Sequence, residues 1–102
     1  MKKAIQIDGN DNVATVTSDV QKGEPVEVLS PGGEVIGKLP APDSTPLGHK
    51  LALSDLKKGE HIVKYGETIG VASRAVKTGE WVHTHNVESA AVPTSGYGGQ
   101  NT

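Results

Sequence analysis

His83 and His85 stand two residues apart in Trp81-Val82-His83-Thr84-His85-Asn86-Val87. In an extended strand, residues so spaced turn to one face with backbones about 7 Å apart, so two imidazoles can hold one metal ion or one polyol. Two further polar phrases, Gly48-His49-Lys50 and Lys64-Tyr65-Gly66-Glu67, supply a third histidine, two lysines and a tyrosine. A lysine pairs with a carboxylate as a point charge, or serves as a base where burial lowers its pKa. Three polar phrases lying close to glycines suggest a shared rim. A metal site usually takes three or four protein ligands, and beyond the His83/His85 pair the chain offers only His49, His61 and scattered carboxylates. A site completed by another polypeptide is therefore expected over a self-contained one. No Ser-His-Asp order, phosphate-cradling glycine loop or nucleotide fingerprint is present.

The elements that position these residues must be short, because 13 glycines and six prolines cut the chain into segments suited to strands rather than helices. The apolar and β-branched runs predict strands at 4–7, 13–17, 26–29, 35–39, 49–53, 62–65, 68–72 and 80–86. Ser30-Pro31-Gly32-Gly33 predicts the turn of a hairpin between 26–29 and 35–39, and Asp8-Gly9-Asn10-Asp11-Asn12 another turn. The acidic character of that second turn also suits a cation. Pro40 to Pro46, with three prolines, predicts an extended connection. Ser54 to Glu60 and Ser73 to Glu80 each read as one capped helical turn stopped at glycine. Gly23-Glu24, Gly59-Glu60 and Gly79-Glu80 each launch a strand, so one turn-and-strand device is used three times. The fold class expected is mainly β, of short strands with one or two single-turn helices, over residues 1–90. Residues 91–102 read as a flexible tail.

Composition narrows the function. With 102 residues, 34% of them hydrophobic, no Phe and one Trp, the chain is one domain with a thin core, which favours association with a larger partner or with copies of itself. No cysteine means no disulfide, zinc thiolate or thiol nucleophile. Ten basic and twelve acidic side chains, a formal charge of −2, give no basic field for nucleic acid and no cationic amphipathic stretch for a membrane. The N-terminal apolar run is broken at Gln6 and ended by Asp8, which reads as a cytoplasmic start rather than a signal peptide.

Four ordered phrases carry a more specific likeness: Asp11-Asn12-Val13-Ala14, Pro46-Leu47-Gly48-His49-Lys50-Leu51-Ala52-Leu53, Lys64-Tyr65-Gly66-Glu67-Thr68-Ile69-Gly70 and Gly79-Glu80-Trp81-Val82-His83-Thr84-His85-Asn86. Together they resemble the N-terminal domain or small subunit of the altronate/galactarate dehydratase family, whose relatives include the small subunit of sulfolactate sulfo-lyase. The stretch from Ser30 to Thr45 departs from the family pattern in length and proline content. The resemblance implies a small SAF-type β-clip domain, a sugar-acid substrate, and a large catalytic subunit or domain holding a divalent metal, iron, without which this chain is inactive. On that basis the expected activity is a hydro-lyase of the altronate branch, removing water to give a 2-keto-3-deoxy acid. His83, His85 and Lys50 would be catalytic, with His83 and His85 as candidate metal ligands completed by another polypeptide. His49, Lys64, Tyr65 and Asn86 would bind substrate. A sulfo-lyase small subunit and a non-catalytic sugar-acid-binding module are the alternatives.

Overall fold

The computed structural model describes residues 1–89, and the tail expected at 91–102 lies outside them. Nine strands are present among the described residues: β1 (Lys2–Ile5), β2 (Val13–Val16), β3 (Val26–Leu29), β4 (Val35–Leu39), β5 (Lys50–Ala52), β6 (His61–Lys64), β7 (Glu67–Ala72), β8 (Trp81–Val82) and β9 (Val87–Glu88). They form a six-stranded sheet in the order β4-β3-β1-β2-β5-β8 and a three-stranded sheet β6-β7-β9. All pairings are antiparallel except β1 with β3. The expected hairpin joins β3 to β4, with Val26 opposite Leu39.

The chain is built twice over. The carbonyl of Val16 accepts from Gly48, as Ala52 accepts from Gly79; Ala41 accepts from Gly23, as Ala72 accepts from Gly59. An isolated bridge ties Val20 to Thr45 in the first half and Leu56 to Val76 in the second. The buried residues divide accordingly. Val16, Val20, Val26, Ala41 and Leu51 lie in one cluster, and their counterparts Ala52, Leu56, Ile62, Ala72 and Val82 lie in the other. Neither cluster contains an aromatic residue, so each half-core is thin, as the composition requires.

The expected helical turns are not helices; among the described residues there is none. Gln21–Glu24, Lys57–Glu60 and Lys77–Glu80 are β-turns, each closed by a glutamate N–H donating to the carbonyl three residues earlier at 3.0, 2.9 and 2.9 Å. Each third position is a glycine at positive φ, 92°, 88° and 86° for Gly23, Gly59 and Gly79, as a type II turn demands. The glutamate carboxylate then returns, its Oε1 accepting the N–H of Gln21, Lys57 or Lys77 at 2.7, 2.8 and 2.9 Å. Glycine sets the turn and glutamate satisfies its open donor, which is why the two residue types recur together.

Candidate functional site

The strand expected over 80–86 stops at Val82, and His83 to Asn86 form a turn closed by Asn86 N–H to the His83 carbonyl at 3.0 Å. Strand alternation therefore does not bring His83 and His85 together. The side chain of Asn86 decides the local fold. It is fully buried, accepts the His83 N–H at Oδ1 and donates Nδ2–H to the Trp81 carbonyl, both at 2.9 Å. With both ends of its amide so used, Asn86 orients the turn and has no surface left for substrate.

What unites the histidines is Trp81, which the sequence reading did not single out. Its indole stacks on His83 at 5.5 Å between centroids with planes 9° apart. His85 tilts against it at 5.1 Å, and His49 meets it edge-on at 5.6 Å. His49 and His83 are themselves 4.9 Å apart. The available signal was the uniqueness of this tryptophan and its place two residues before His83.

His49 closes a fourth turn, Pro46–His49, with Gly48 at φ 82°. Lys50 opens β5 opposite Val82. Half-buried, it has its pKa lowered first by that burial and then by the positive charge of Lys64. His83 is held below the ordinary imidazole value by desolvation first, and then by His49, Lys50 and His85 around it. Lys50 and His83 line one depression together, and His49, Trp81 and His85 complete the cluster around His83, while Lys64 lies near enough to Lys50 for its charge to be felt there. Two depressions flank the cluster. One of about 220 Å³ is lined by Lys50, Ile69, His83, Thr84 and Val87. The other, about 590 Å³, is bordered by Asp43, Arg74, Trp81, His83 and His85.

Lys64 and Tyr65 are positioned by a different device. The β6–β7 hairpin pairs Lys64 with Glu67, leaving a two-residue loop in which Tyr65 and Gly66 have φ 58° and 73°. That is the type I′ geometry which suits a twisted hairpin and strains any residue but glycine, asparagine or aspartate. Asp11 holds it. Its buried carboxylate accepts N–H groups of Tyr65 at 3.1 Å, Gly66 at 2.8 Å and Asp8 at 3.0 Å. Asn12 adds two bonds to β6, accepting from Val63 and donating to His61, each at 2.8 Å. The acidic turn is thus a clamp for the hairpin rather than a cation site. Tyr65 itself is 60% exposed, with Lys64 Nζ 5.0 Å from its ring centroid.

The donor set does not fit a metal held by this chain alone. Among the described residues no three His, Asp or Glu side chains gather closely enough to hold an ion, and the ammonium of Lys50 stands beside His83, where it repels a cation. The rim is suited to an anion bearing hydroxyl groups, which lysines can pair with and imidazoles can donate to or accept from.

Known proteins carry similar sequences. Over 89 residues the chain is 39% identical to altronate dehydratase of Bacillus subtilis (strain 168), covering 87% of this chain and 17% of that enzyme. It is 36% identical over 78 residues to galactarate dehydratase (L-threo-forming) of Escherichia coli (strain K12), covering 76% of this chain and 14% of the enzyme. Identity reaches 45% over 47 residues with (2R)-sulfolactate sulfo-lyase subunit alpha of Chromohalobacter salexigens, 46% of this chain and 50% of that subunit. The chain thus spans a small fraction of the dehydratases and about half of the sulfo-lyase subunit. Residues 2–90 match the family model for the altronate/galactarate dehydratase SAF domain, and the chain belongs to that family.

Proposed function

We propose that this chain is the SAF domain or small subunit of a sugar-acid dehydratase, with altronate as the preferred substrate, working against a large catalytic subunit or domain. The observation that carries the reading is the gathering of His49, Lys50, His83 and His85 around Trp81 and one depression, with Lys64 near enough to Lys50 to act on its charge, in a chain whose relatives are dehydratases. A 2,3-dihydroxy acid loses water when a base takes the proton from C2 and the C3 hydroxyl leaves with a proton. The enol that remains tautomerises to a 2-keto-3-deoxy acid. Lys50 and Lys64 supply positive charge for the carboxylate, whose negative charge grows as the C2 proton departs. His83, kept neutral by its surroundings, presents a lone pair at neutral pH and suits the acceptor of a proton or of a hydroxyl hydrogen bond. His85, exposed beside Trp81, suits contact with a more distal hydroxyl. The divalent metal implied by the family resemblance, iron, belongs in this reading to the large polypeptide, because this chain's described donors do not assemble a site for it.

Likeness to a sulfo-lyase alpha subunit over half of that subunit's length supports the small-subunit form of the reading, with sulfite as the leaving group in that branch. The test is to co-express the chain with the large polypeptide and assay altronate, galactarate and sulfolactate. Turnover of altronate by the complex, and by neither part alone, is the expected result. Steady turnover by the purified chain alone would overturn the shared site, and binding without turnover in the complex would assign the chain to a sugar-acid-binding module.

A further inference from the structure

The indole Nε1–H of Trp81 points at Nδ1 of His49, 3.3 Å away. An indole nitrogen only donates, so Nδ1 must be the unprotonated, accepting nitrogen of that imidazole while the contact is made. A neutral ring then carries its proton on Nε2. We propose that Trp81 is a positioning residue that fixes His49 as an Nε2–H donor toward the rim, so that His49 gives a hydrogen bond to a bound hydroxyl or carboxylate oxygen and takes no part as base or metal ligand.

Several observations support this beyond the bond itself. Trp81 cannot drift away from His49, because its ring is stacked on His83 on one side and met by His85 on another. Its backbone pairs with Leu51 of the adjacent strand, and its carbonyl is held by the buried Asn86 amide. His49 is held as firmly. Its main-chain N–H bonds the Pro46 carbonyl at 3.0 Å and its carbonyl accepts from Val16 at 2.9 Å, so the backbones that carry the two rings are anchored on both sides of the indole-to-imidazole contact. Preorganised donors of this kind stabilise developing negative charge without a reorganisation cost. The consequence is a division of labour between two clustered imidazoles, a donor at His49 and an acceptor at His83, whose ring centroids lie 4.9 Å apart.

The inference rests on the functional reading only for its consequence in turnover; the orientation of His49 is measurable in the full 102-residue chain without substrate. Side-chain ¹⁵N NMR at mildly alkaline pH should show His49 with an acceptor-type Nδ1 and a protonated Nε2, and a Trp81 indole N–H slow to exchange with solvent. Trp81→Phe keeps an aromatic ring against His83 and removes the donor, so it should release His49 into a mixture of both tautomers while circular dichroism stays unchanged. An Nδ1–H form at His49 in the native chain, a freely exchanging indole N–H, or an unaltered His49 spectrum in Trp81→Phe would each overturn the proposal.

Two substitutions at His49 extend the test to the complex with the large polypeptide. His49→Gln retains a donor near the Nε2 position, whereas His49→Asn retains an acceptor near Nδ1 for Trp81 but places nothing at the rim. Loss of one positioned donor lowers kcat by about 10²-fold. His49→Asn should show that loss with KM little changed, and His49→Gln should recover at least about tenfold of it. Equal loss in both would overturn the donor assignment. Should the native complex show no turnover of any sugar acid, the functional reading fails while the NMR result still decides the orientation of His49.

Discussion

Asp11 is the residue whose replacement should separate the stability of the hairpin from that of the domain. Its carboxylate, 5% exposed, takes three main-chain N–H groups, two of them from the strained Tyr65-Gly66 loop. A hydrogen bond to a charged group contributes about 1.5–3 kcal/mol. Asp11→Asn turns one oxygen into a donor facing N–H groups, so one or two of the three bonds are lost and the cost is about 2–4 kcal/mol. At about 4–8 °C per kcal/mol for a domain of this size, the melting temperature should fall by at least about 8 °C. The damage should be local first. Asn12 still binds Val63 and His61, so β6 stays attached while the loop frays. Amide exchange at Tyr65 and Gly66 should therefore accelerate far more than at Val63, which serves as the internal control. Tyr65→Asn, better suited to positive φ, should return about 1 kcal/mol in the Asp11→Asn background. A fall in melting temperature below about 4 °C, with exchange at Tyr65 and Gly66 unaltered, would refute the clamp.

Three further outcomes are expected. Gly59 and Gly79 occupy equivalent turns at φ 88° and 86°, yet a Cβ on Gly59 meets open space and one on Gly79 would lie 2.0 Å from the Pro40 carbonyl oxygen. Gly59→Ala should cost about 1–2 kcal/mol from backbone strain alone, and Gly79→Ala considerably more; equal losses in denaturant melts would contradict the close approach. His83 has a folded pKa below its ordinary 6.5, so the unfolded chain binds more protons just below that pH, and stability should rise as pH climbs through this window and level off above it. His83→Gln should flatten that rise in thermal melts, and an unchanged slope would count against the crowded site. Lys50, half-buried beside Lys64, should be more easily held once an anion joins it: a small hydroxy acid should raise the melting temperature of the native chain. Lys50→Met should abolish that rise and gain about 2–4 °C without ligand, corresponding to about 0.5 kcal/mol after allowance for solvent screening; a ligand effect that survives the substitution would place the anion elsewhere.

The strands at 26–29 and 35–39 were legible to the residue, because Val-Glu-Val-Leu and a glycine turn settle register locally. The rim residues were legible as types, since lysines and histidines next to glycines stand out in a chain so poor in large side chains. Their geometry was not. His83-Thr84-His85 alternates as a strand would, but the strand ends because the Asn86 side chain supplies the hydrogen bonds that a neighbouring strand would otherwise give. The short β9 pairing with β7 escaped notice for a related reason: two residues carry no periodicity. The helical turns misled because a Ser start and a Gly stop fit a capped helix as well as they fit a type II turn, and only Glu at the fourth position, returning to the open N–H, separates them. Asp11 acts on residues more than fifty positions away, a distance at which no local pattern can speak.

The repeated architecture explains why the site stands where it does. Four turns of one type occur among the described residues, and in three the fourth residue is a glutamate whose carboxylate is committed to the first residue's N–H. In the fourth turn that first residue is Pro46, which has no N–H to satisfy. The carboxylate is unnecessary there, and the position passes to His49. Its counterpart in the second half is Glu80, bound to Lys77 and to Arg74 at 2.9 Å each. The next position carries Lys50 in one half and Trp81 in the other, and the two lie on adjacent, paired strands. One proline thus frees a side chain from structural duty, and the second half supplies the tryptophan that holds it. Chemistry can gather where the two halves differ because the surrounding bonds, duplicated in both, fix the backbone without it.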